Sequence, residues 1–464
     1  MNERDRKEAL SVGEKTMIRD LTVGNPMKQL LTFAFPFMLA NLLQQIYNIA
    51  DMIIVGRFVG SAGLAAASAG GELAALFLFM AYGFCSAGQI IISQHIGAGS
   101  RHRIGRTIGT LATFIFILVI VFTAFGLIAC DWLLQLIRIP AEAEKFGHDY
   151  AFTYFCGNIS VFGYNVVAAA LRGMGDSKRP FIFIAISATL NILLDLLFVG
   201  PLHMECFGAA LATVLSQTVS FIVSVIYLYR HREAFGFDFK LRSFAIDRRE
   251  LGTIVQLGLP LSIQSGAVSV SMLYVARYIN SFGLVASAAT AVGNKFTLVA
   301  TIVTVALMNA GNSIIAQNFG AGKLKRVSQT IGCILLVAVA FCGLVSAVVL
   351  IFPEQVFALF DENPDVIAMS HSYAPTCAIA LMGFATRATA GSFINGIGNS
   401  RLSFIAGFID GIIARIGLSL LFGIQMGMGV YGFWLGSALA GHIIGIVGLF
   451  YYLPGRWKHR KLLV

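Results

Sequence analysis

Read for hydropathy, the chain is a succession of long apolar runs separated by short polar punctuation. Windows of about 20 apolar residues, the length that crosses a bilayer's hydrocarbon core, fall near 29–54, 64–94, 107–129, 149–171, 180–200 and 207–229. Six more follow near 251–275, 284–317, 329–352, 367–394, 402–422 and 430–453. The pattern predicts twelve membrane-spanning helices. Several windows exceed 25 residues and must tilt or project beyond the membrane. Composition points the same way: 57% of the 464 residues are hydrophobic and only 12% charged, where a soluble chain carries about a quarter charged.

Charge refines the picture. A balance of +10 would suggest nucleic acid in a soluble domain, but the basic residues are sorted by loop. Twenty-six of the 33 Lys and Arg fall in residues 1–28, 101–106, 172–179, 230–249, 323–326, at Arg401 and in 456–461. The opposite loops hold Arg57, Arg138, Lys145 and Arg277 beside seven acids, among them Asp131, Glu142 and Asp361. This asymmetry satisfies the positive-inside rule with both termini cytoplasmic and leaves no case for nucleic acid. The polar residues before the first span read as a cytoplasmic lead-in and not as a cleaved signal peptide. Seven cysteines, odd in number and without CxxC spacing, read as small core residues.

The halves repeat. "QHIGAGSRHRIGRTIG" at 94–109 returns as "QNFGAGKLKRVSQTIG" at 317–332, and "RGMGDS" at 172–177 as "NGIGNS" at 395–400, both at an offset of 223. "FAFP" at 33–36 is echoed by "LGLP" at 257–260. Six spans per copy is an even number, so the copies face the same way, related by a pseudo-two-fold axis along the membrane normal. The expected organisation is a cytoplasmic segment (1–28), an N-lobe (29–229), a cytoplasmic linker (230–250), a C-lobe (251–453) and a basic cytoplasmic tail (454–464). Two six-helix lobes suit alternating access better than a channel. The GxG pairs at 173–175 and 396–398 neither follow strands nor continue into GK[ST], so they read as tight turns and not phosphate loops. With no nucleotide-binding motif, an ion gradient must supply the energy. No Ser/His/Asp or metal-spaced His cluster supports an enzyme; His95 and His203 stand isolated near span ends.

Seven ionisable residues remain inside spans: Asp51, Glu72 and Asp195 in the first copy, Lys295, Arg387, Asp410 and Arg415 in the second. An Asp, Lys or Arg at a helix centre costs about 2.5–3.5 kcal/mol on insertion scales, which makes each a functional candidate. Asp51 and Asp195 each lie five residues below the outer end of their spans, and Thr213 lies at a matching depth in span 6, roughly 7–8 Å inside at 1.5 Å per residue. Asn191 stands one turn below Asp195 on the same face, and Asn48 shares the face of Asp51. Two carboxylates, an amide and a hydroxyl at one level form an oxygen-rich cage for a hard cation, or a pair of acids that holds a proton. An offset of 223 also pairs Glu72 with Lys295, a candidate outer gate, although counting from Gly63 and Gly283 gives 220.

These residues, with "PFMLANLLQQIYNIADMIIVGRFVGSAGLAA" at 36–66 and "ALRGMGDSKRP" at 170–180, resemble the multidrug and toxic compound extrusion (MATE) family over nearly the whole chain. The resemblance implies twelve helices in two lobes and export of cationic, amphipathic drugs against inward Na⁺ or H⁺. It implies a multi-pass protein of the bacterial plasma membrane, a monomer, with no cofactor beyond the coupling ion. Asp51 matches the family's helix 1 carboxylate, Asn191 and Asp195 its helix 5 pair, and Thr213 its helix 6 ligand. Ala209 could add a carbonyl, and Tyr164 and Asn165 are candidates for the lining. Span 7, "LGLPLSIQSGAVSVSMLYVA", lacks the acid of NorM-type members, which points to the DinF-like or MepA-like arrangement with coupling in the first lobe. Asp410 is then expected to neutralise Arg387 or Arg415. The rival within the superfamily is a lipid-linked saccharide flippase, which would turn Lys295, Arg387 and Arg415 toward pyrophosphate.

Overall fold

The computed structural model describes residues 18–137, 139–235 and 237–464. The basic residues before Ile18 and Arg138, counted above, lie outside these. Among the described residues the secondary structure is helical and no strand occurs. Twelve long helices follow in order: α1 (Pro26–Phe58), α2 (Ser61–Gly97), α3 (Ile104–Ile128), α4 (Glu144–Gly173), α5 (Lys178–Phe198), α6 (Glu205–Arg230), α7 (Arg248–Ser281), α8 (Leu284–Gly320), α9 (Leu324–Ile351), α10 (Ser370–Gly396), α11 (Ser400–Gln425) and α12 (Gly429–Tyr452). Eleven are long and apolar enough to cross a membrane. The twelfth, α2, is 37 residues long and carries "LAALFLFMAYGF" at 73–84.

The duplicated sequence builds duplicated local structure. Asn25 caps α1, its Oδ1 accepting the Lys28 N–H at 3.1 Å, with Pro26 at the first helical position. Asp247 caps α7, accepting from Arg249 N–H at 2.9 Å and Glu250 N–H at 3.2 Å. Asp176 and Asn399 cap α5 and α11 in the same way. The GxG pairs are turns, as their sequence implies. Gly175 and Gly398 adopt φ of 87° and 74°, which a side chain resists, and the next N–H reaches back to Leu171 O (2.9 Å) and Ile394 O (2.9 Å) to end α4 and α10. The helix pair α2 and α8 starts after Gly60 and Gly283. The matching glycine of Gly283 is therefore Gly60 and not Gly63, and the register is 223 throughout this stretch.

Two compact units result. The first holds Leu39–Ser262 together with the described residues up to Asp20; the second holds Leu21–Met38 and Ile263–Val464. Thus α1 begins in the second unit and ends in the first, while α7 does the reverse. Each carries a proline, Pro36 or Pro260, two residues before it changes units. An interior proline deletes one hydrogen bond and crowds the carbonyl four residues back, so both helices are weakest where they cross.

In the first unit one core cluster gathers Ile92, Ile108, Tyr164, Leu171 and Leu228, and another gathers Val55, Ala66, Tyr150, Val199 and Ala209. Helices α4 and α6 approach through glycines: a Cβ on Gly157 would meet Val214 at 2.3 Å and one on Gly163 would meet Phe221 at 2.6 Å. Small residues at such seams let membrane helices pack without a hydrophobic drive between them. The second unit has one large core, reaching from Leu30 and Phe33 through Ile314 and Phe393 to Trp457. Its C-terminal segment folds back: the Trp457 ring is fully buried against Phe393 and Tyr452, and Arg460 donates to Gly398 O at 2.9 Å. Outward-facing Ile120, Val121, Leu336 and Leu344 are exposed, as a lipid-facing surface requires.

Candidate functional site

The site is assembled in the first unit from α1, α5 and α6. Asp195 is fully buried, Asn191 1% exposed and Asp51 9% exposed. Asn191 Nδ2 donates to Thr213 Oγ1 at 3.3 Å, and Thr213 donates in turn to the Ala209 carbonyl at 3.2 Å. That chain uses the donors present and leaves acceptors over. Both carboxylate oxygens of Asp195, Oδ1 of Asp51 and Oδ1 of Asn191 are enclosed without a hydrogen-bond partner. The charges of Asp51 and Asp195 bear on each other. Buried polar atoms are rarely left unsatisfied, and two enclosed carboxylates without a positive partner are costly. Chemically, such an arrangement can accept a proton or a small cation. His, Cys, Asp and Glu form no cluster of three suited to a metal among the described residues, so any cation here relies on amide, hydroxyl and carbonyl oxygens as well.

Several expected neighbours fall elsewhere. Tyr164 lies 20 residues into α4 from Glu144, about 30 Å along the axis, and its hydroxyl donates to Pro180 O at 3.0 Å. Asn165 donates to Val161 O of its own helix at 2.8 Å. Neither lines the carboxylate cluster. Asn48 is exposed, unlike its helix mate Asp51. The side chain that α4 does bring is Tyr150, buried and within electrostatic range of both Asp51 and Asp195. It sits six residues from Glu144, about 9 Å in, so counting depth along α4 as along α1 and α5 would have found it. A Cβ on Gly70 would strike its ring at 2.5 Å, and this seam on α2 fixes where the ring lies.

The second unit pairs its buried charges. Asp410 is fully buried, with Arg415 Nη2 on Oδ1 at 3.0 Å and Arg387 on Oδ2. Arg415 also donates to Ser437 Oγ at 3.0 Å. Asp410 and Arg415 are five residues apart, and in a regular helix they would point to different faces. Residues Ile409–Ala414 instead form a π turn, with bonds spanning five residues, which turns the two side chains to one side. Glu72 and Lys295 are exposed, each on its own unit and at equivalent positions. His203 is exposed, but His95 is not isolated: it is fully buried and faces Glu250.

A duplicated six-helix architecture with a cluster of enclosed, donor-poor oxygens held among its spans points to a class, the multi-pass membrane transporters. A model of the MatE family matches residues 36–197 and 260–421, once in each repeat, and the chain belongs to that family, whose members are transporters and not enzymes. The chain is 29% identical over 447 residues to the "Probable multidrug resistance protein YpnP" of Bacillus subtilis, covering 96% of this chain and 98% of that one. It is 30% identical over 344 residues to the "Probable multidrug resistance protein YoeA" of the same organism, 73% of this chain and 74% of the relative. Among solved structures, a MOP superfamily transporter from Pyrococcus furiosus superposes with a TM-score of 0.87 at 24% identity, over 95% of this chain and 98% of that chain. That likeness shows a shared fold of twelve helices in two lobes.

Proposed function

We propose that the protein is an antiporter that exports cationic, amphipathic drugs in exchange for inward Na⁺ or H⁺. The observation that carries this reading is the set of enclosed oxygens on Asp51, Asn191 and Asp195 that lack a donor. Oxygen donors suit a hard cation, and the same carboxylates accept a proton. The names of the relatives as multidrug resistance proteins support the substrate class. The loop charges support a plasma-membrane topology with both termini cytoplasmic, and the family resemblance supports a monomer.

In this mechanism Asp51 and Asp195 take the incoming cation, Asn191 and Thr213 orient toward it, and the Ala209 carbonyl adds an acceptor. Neutralising the two acids removes their mutual repulsion and lets α1, α5 and α6 repack. Coupling requires only that the ion bind the outward-open and inward-open arrangements with different affinity. Aromatic and Met side chains, with 38 Phe in the chain, supply apolar and π contacts for a flat cation. The flippase reading loses support from the second unit, where Asp410 engages both Arg387 and Arg415.

Ethidium or norfloxacin efflux from vesicles, driven separately by a Na⁺ gradient and by a pH gradient, tests the proposal. One gradient is expected to drive efflux and the other not. Efflux indifferent to collapse of both would overturn the exchange mechanism.

A further inference from the structure

Each unit grips the head of the helix that begins in it and ends in the other, and the two grips use equivalent residues. In the second unit, Gln317 Oε1 accepts the Leu21 N–H at 2.9 Å, and Asn318 Nδ2 donates to Leu21 O at 3.1 Å. Lys323 Nζ reaches Thr22 O at 3.0 Å and Thr22 Oγ1 at 2.7 Å. Arg326 donates to Gly24 O at 2.7 Å and to Gln29 Oε1 at 3.0 Å. These contacts hold the entry to α1. Subtracting 223 from Asn318 and Arg326 gives His95 and Arg103 of the first unit. There His95 and Arg103 converge with Thr107 on one carboxylate, Glu250, in the first turn of α7.

Thr107 Oγ1 donates to Glu250 at 3.0 Å, Arg103 Nη1 lies at 3.3 Å and His95 Nε2 at 3.4 Å. The Glu250 residue is 3% exposed. The neighbouring Asp247 carboxylate faces the N–H groups of Arg249 and Glu250 and, at 3.9 Å, Arg106; of the three partners of Glu250 only Arg103 reaches it, through its charge and less than Arg106 does.

The two grips differ in kind. The second unit holds main-chain groups of Leu21, Thr22 and Gly24, which any residue at those positions would offer, through several side chains. The first unit also touches main-chain groups before α7, with Thr110 Oγ1 accepting the Asp247 N–H at 3.1 Å and Thr113 Oγ1 donating to Phe244 O at 2.6 Å, but inside the helix head its polar contacts converge on the one side chain of Glu250. A carboxylate gathering three donors in an enclosed place is strong while intact, and removing its charge strands the donors around it. Pro260 lies ten residues further along α7, so a head that comes loose has a weak point to bend about.

We propose that Glu250 is a positioning residue for transport: it docks the first turn of α7 onto the first unit, and a single substitution there loosens that turn although the bonds to Asp247 and Phe244 before it remain, whereas no single side chain carries the head of α1. The role in transport rests on the antiport reading; the docking does not. Hydrogen exchange read by mass spectrometry on the full-length protein in nanodiscs tests the docking directly. Glu250→Gln is expected to speed exchange in residues 251–262 about tenfold and to leave 27–38 unchanged, while Arg326→Ala alone leaves 27–38 within about twofold. Glu250→Asp, which keeps the charge, is the second variant should the amide fail to fold, and it is expected to show a smaller change in the same segment. In vesicles, Glu250→Gln is expected to lower drug turnover about fivefold with KM unchanged, and Arg103→Glu with Glu250→Arg to recover part of it. Unchanged exchange at 251–262 in both variants overturns the docking. Faster exchange with full turnover overturns the positioning role. Wild-type protein that shows no gradient-driven efflux counts against antiport alone and leaves the exchange result standing.

Discussion

Both units bury an aspartate deep in a spanning helix, and they treat it in opposite ways. In the second unit, Asp410 meets two guanidinium groups, and a local π turn brings one of them round to it. In the first unit, Asp195 has comparable burial and neither carboxylate oxygen has a donor, while a second acid, Asp51, adds to its charge. A carboxylate matched by built-in cations has nothing left to bind and serves the fold. One left short of positive charge can exchange what neutralises it. Burial alone does not support the proposed coupling site; burial without a resident partner does.

Substitutions can pull this contrast apart. Asp51→Asn is expected to cut gradient-driven efflux about 100-fold, near the top of the range for a coupling free energy, with the protein still folded by circular dichroism. Asp195→Asn should act in the same direction. Asp410→Asn is expected to do the reverse. It strands the buried Arg415 guanidinium and the partly buried one of Arg387 and should cost about 3–5 kcal/mol of stability, read from denaturant or thermal unfolding, while protein that does fold keeps its ion dependence. Equal effects of the two classes on efflux and on stability would erase the distinction. Thr213→Val, which removes a hydroxyl but no charge, should raise the cation concentration for half-maximal efflux a few-fold.

The smallest effect belongs to a helix cap. Asp247→Ala should lower stability by about 1 kcal/mol. The Glu250 N–H most of all, with the Arg249 N–H and the nearby Arg106 and Arg103 charges, holds the Asp247 carboxyl below the usual carboxylate range, against an opposing cost of burial that only the Glu250 N–H exceeds by itself. A depressed folded value means its contribution is complete above the unfolded value of about 3.9 and fades as pH falls through the lower folded one. The difference in Tm between wild type and variant should therefore be flat from pH 5 to 8 and shrink in more acidic buffer.

Much of this was legible before any coordinates. Apolar runs of bilayer length located the helices, and the repeated "GAG" and "GxG" segments located equivalent turns. Depth counting from helix ends brought Asp51, Asp195 and Thr213 to one level, with Asn191 one turn below, because a membrane forces helices to start and stop at common planes. Other features carry no such ruler. His95 read as isolated because its partner Glu250 lies 155 residues away, and only tertiary packing joins them. Tyr164 was misplaced because matching a helix says nothing about how far along it a side chain sits. That α1 and α7 each divide between two units leaves no mark in hydropathy, since both halves are equally apolar; only Pro36 and Pro260 hint at it.

The wide turn at Ile409–Ala414 makes α11 a helix with a spare residue in its count. Shortening it by one position there would restore regular bonding and swing everything on one side of the cut by about 100° relative to the other. The guanidinium of Arg415 would then leave the carboxylate it neutralises. Length, as much as residue identity, is thus under constraint in this segment, and a one-residue deletion should do more harm here than a conservative replacement at either charge.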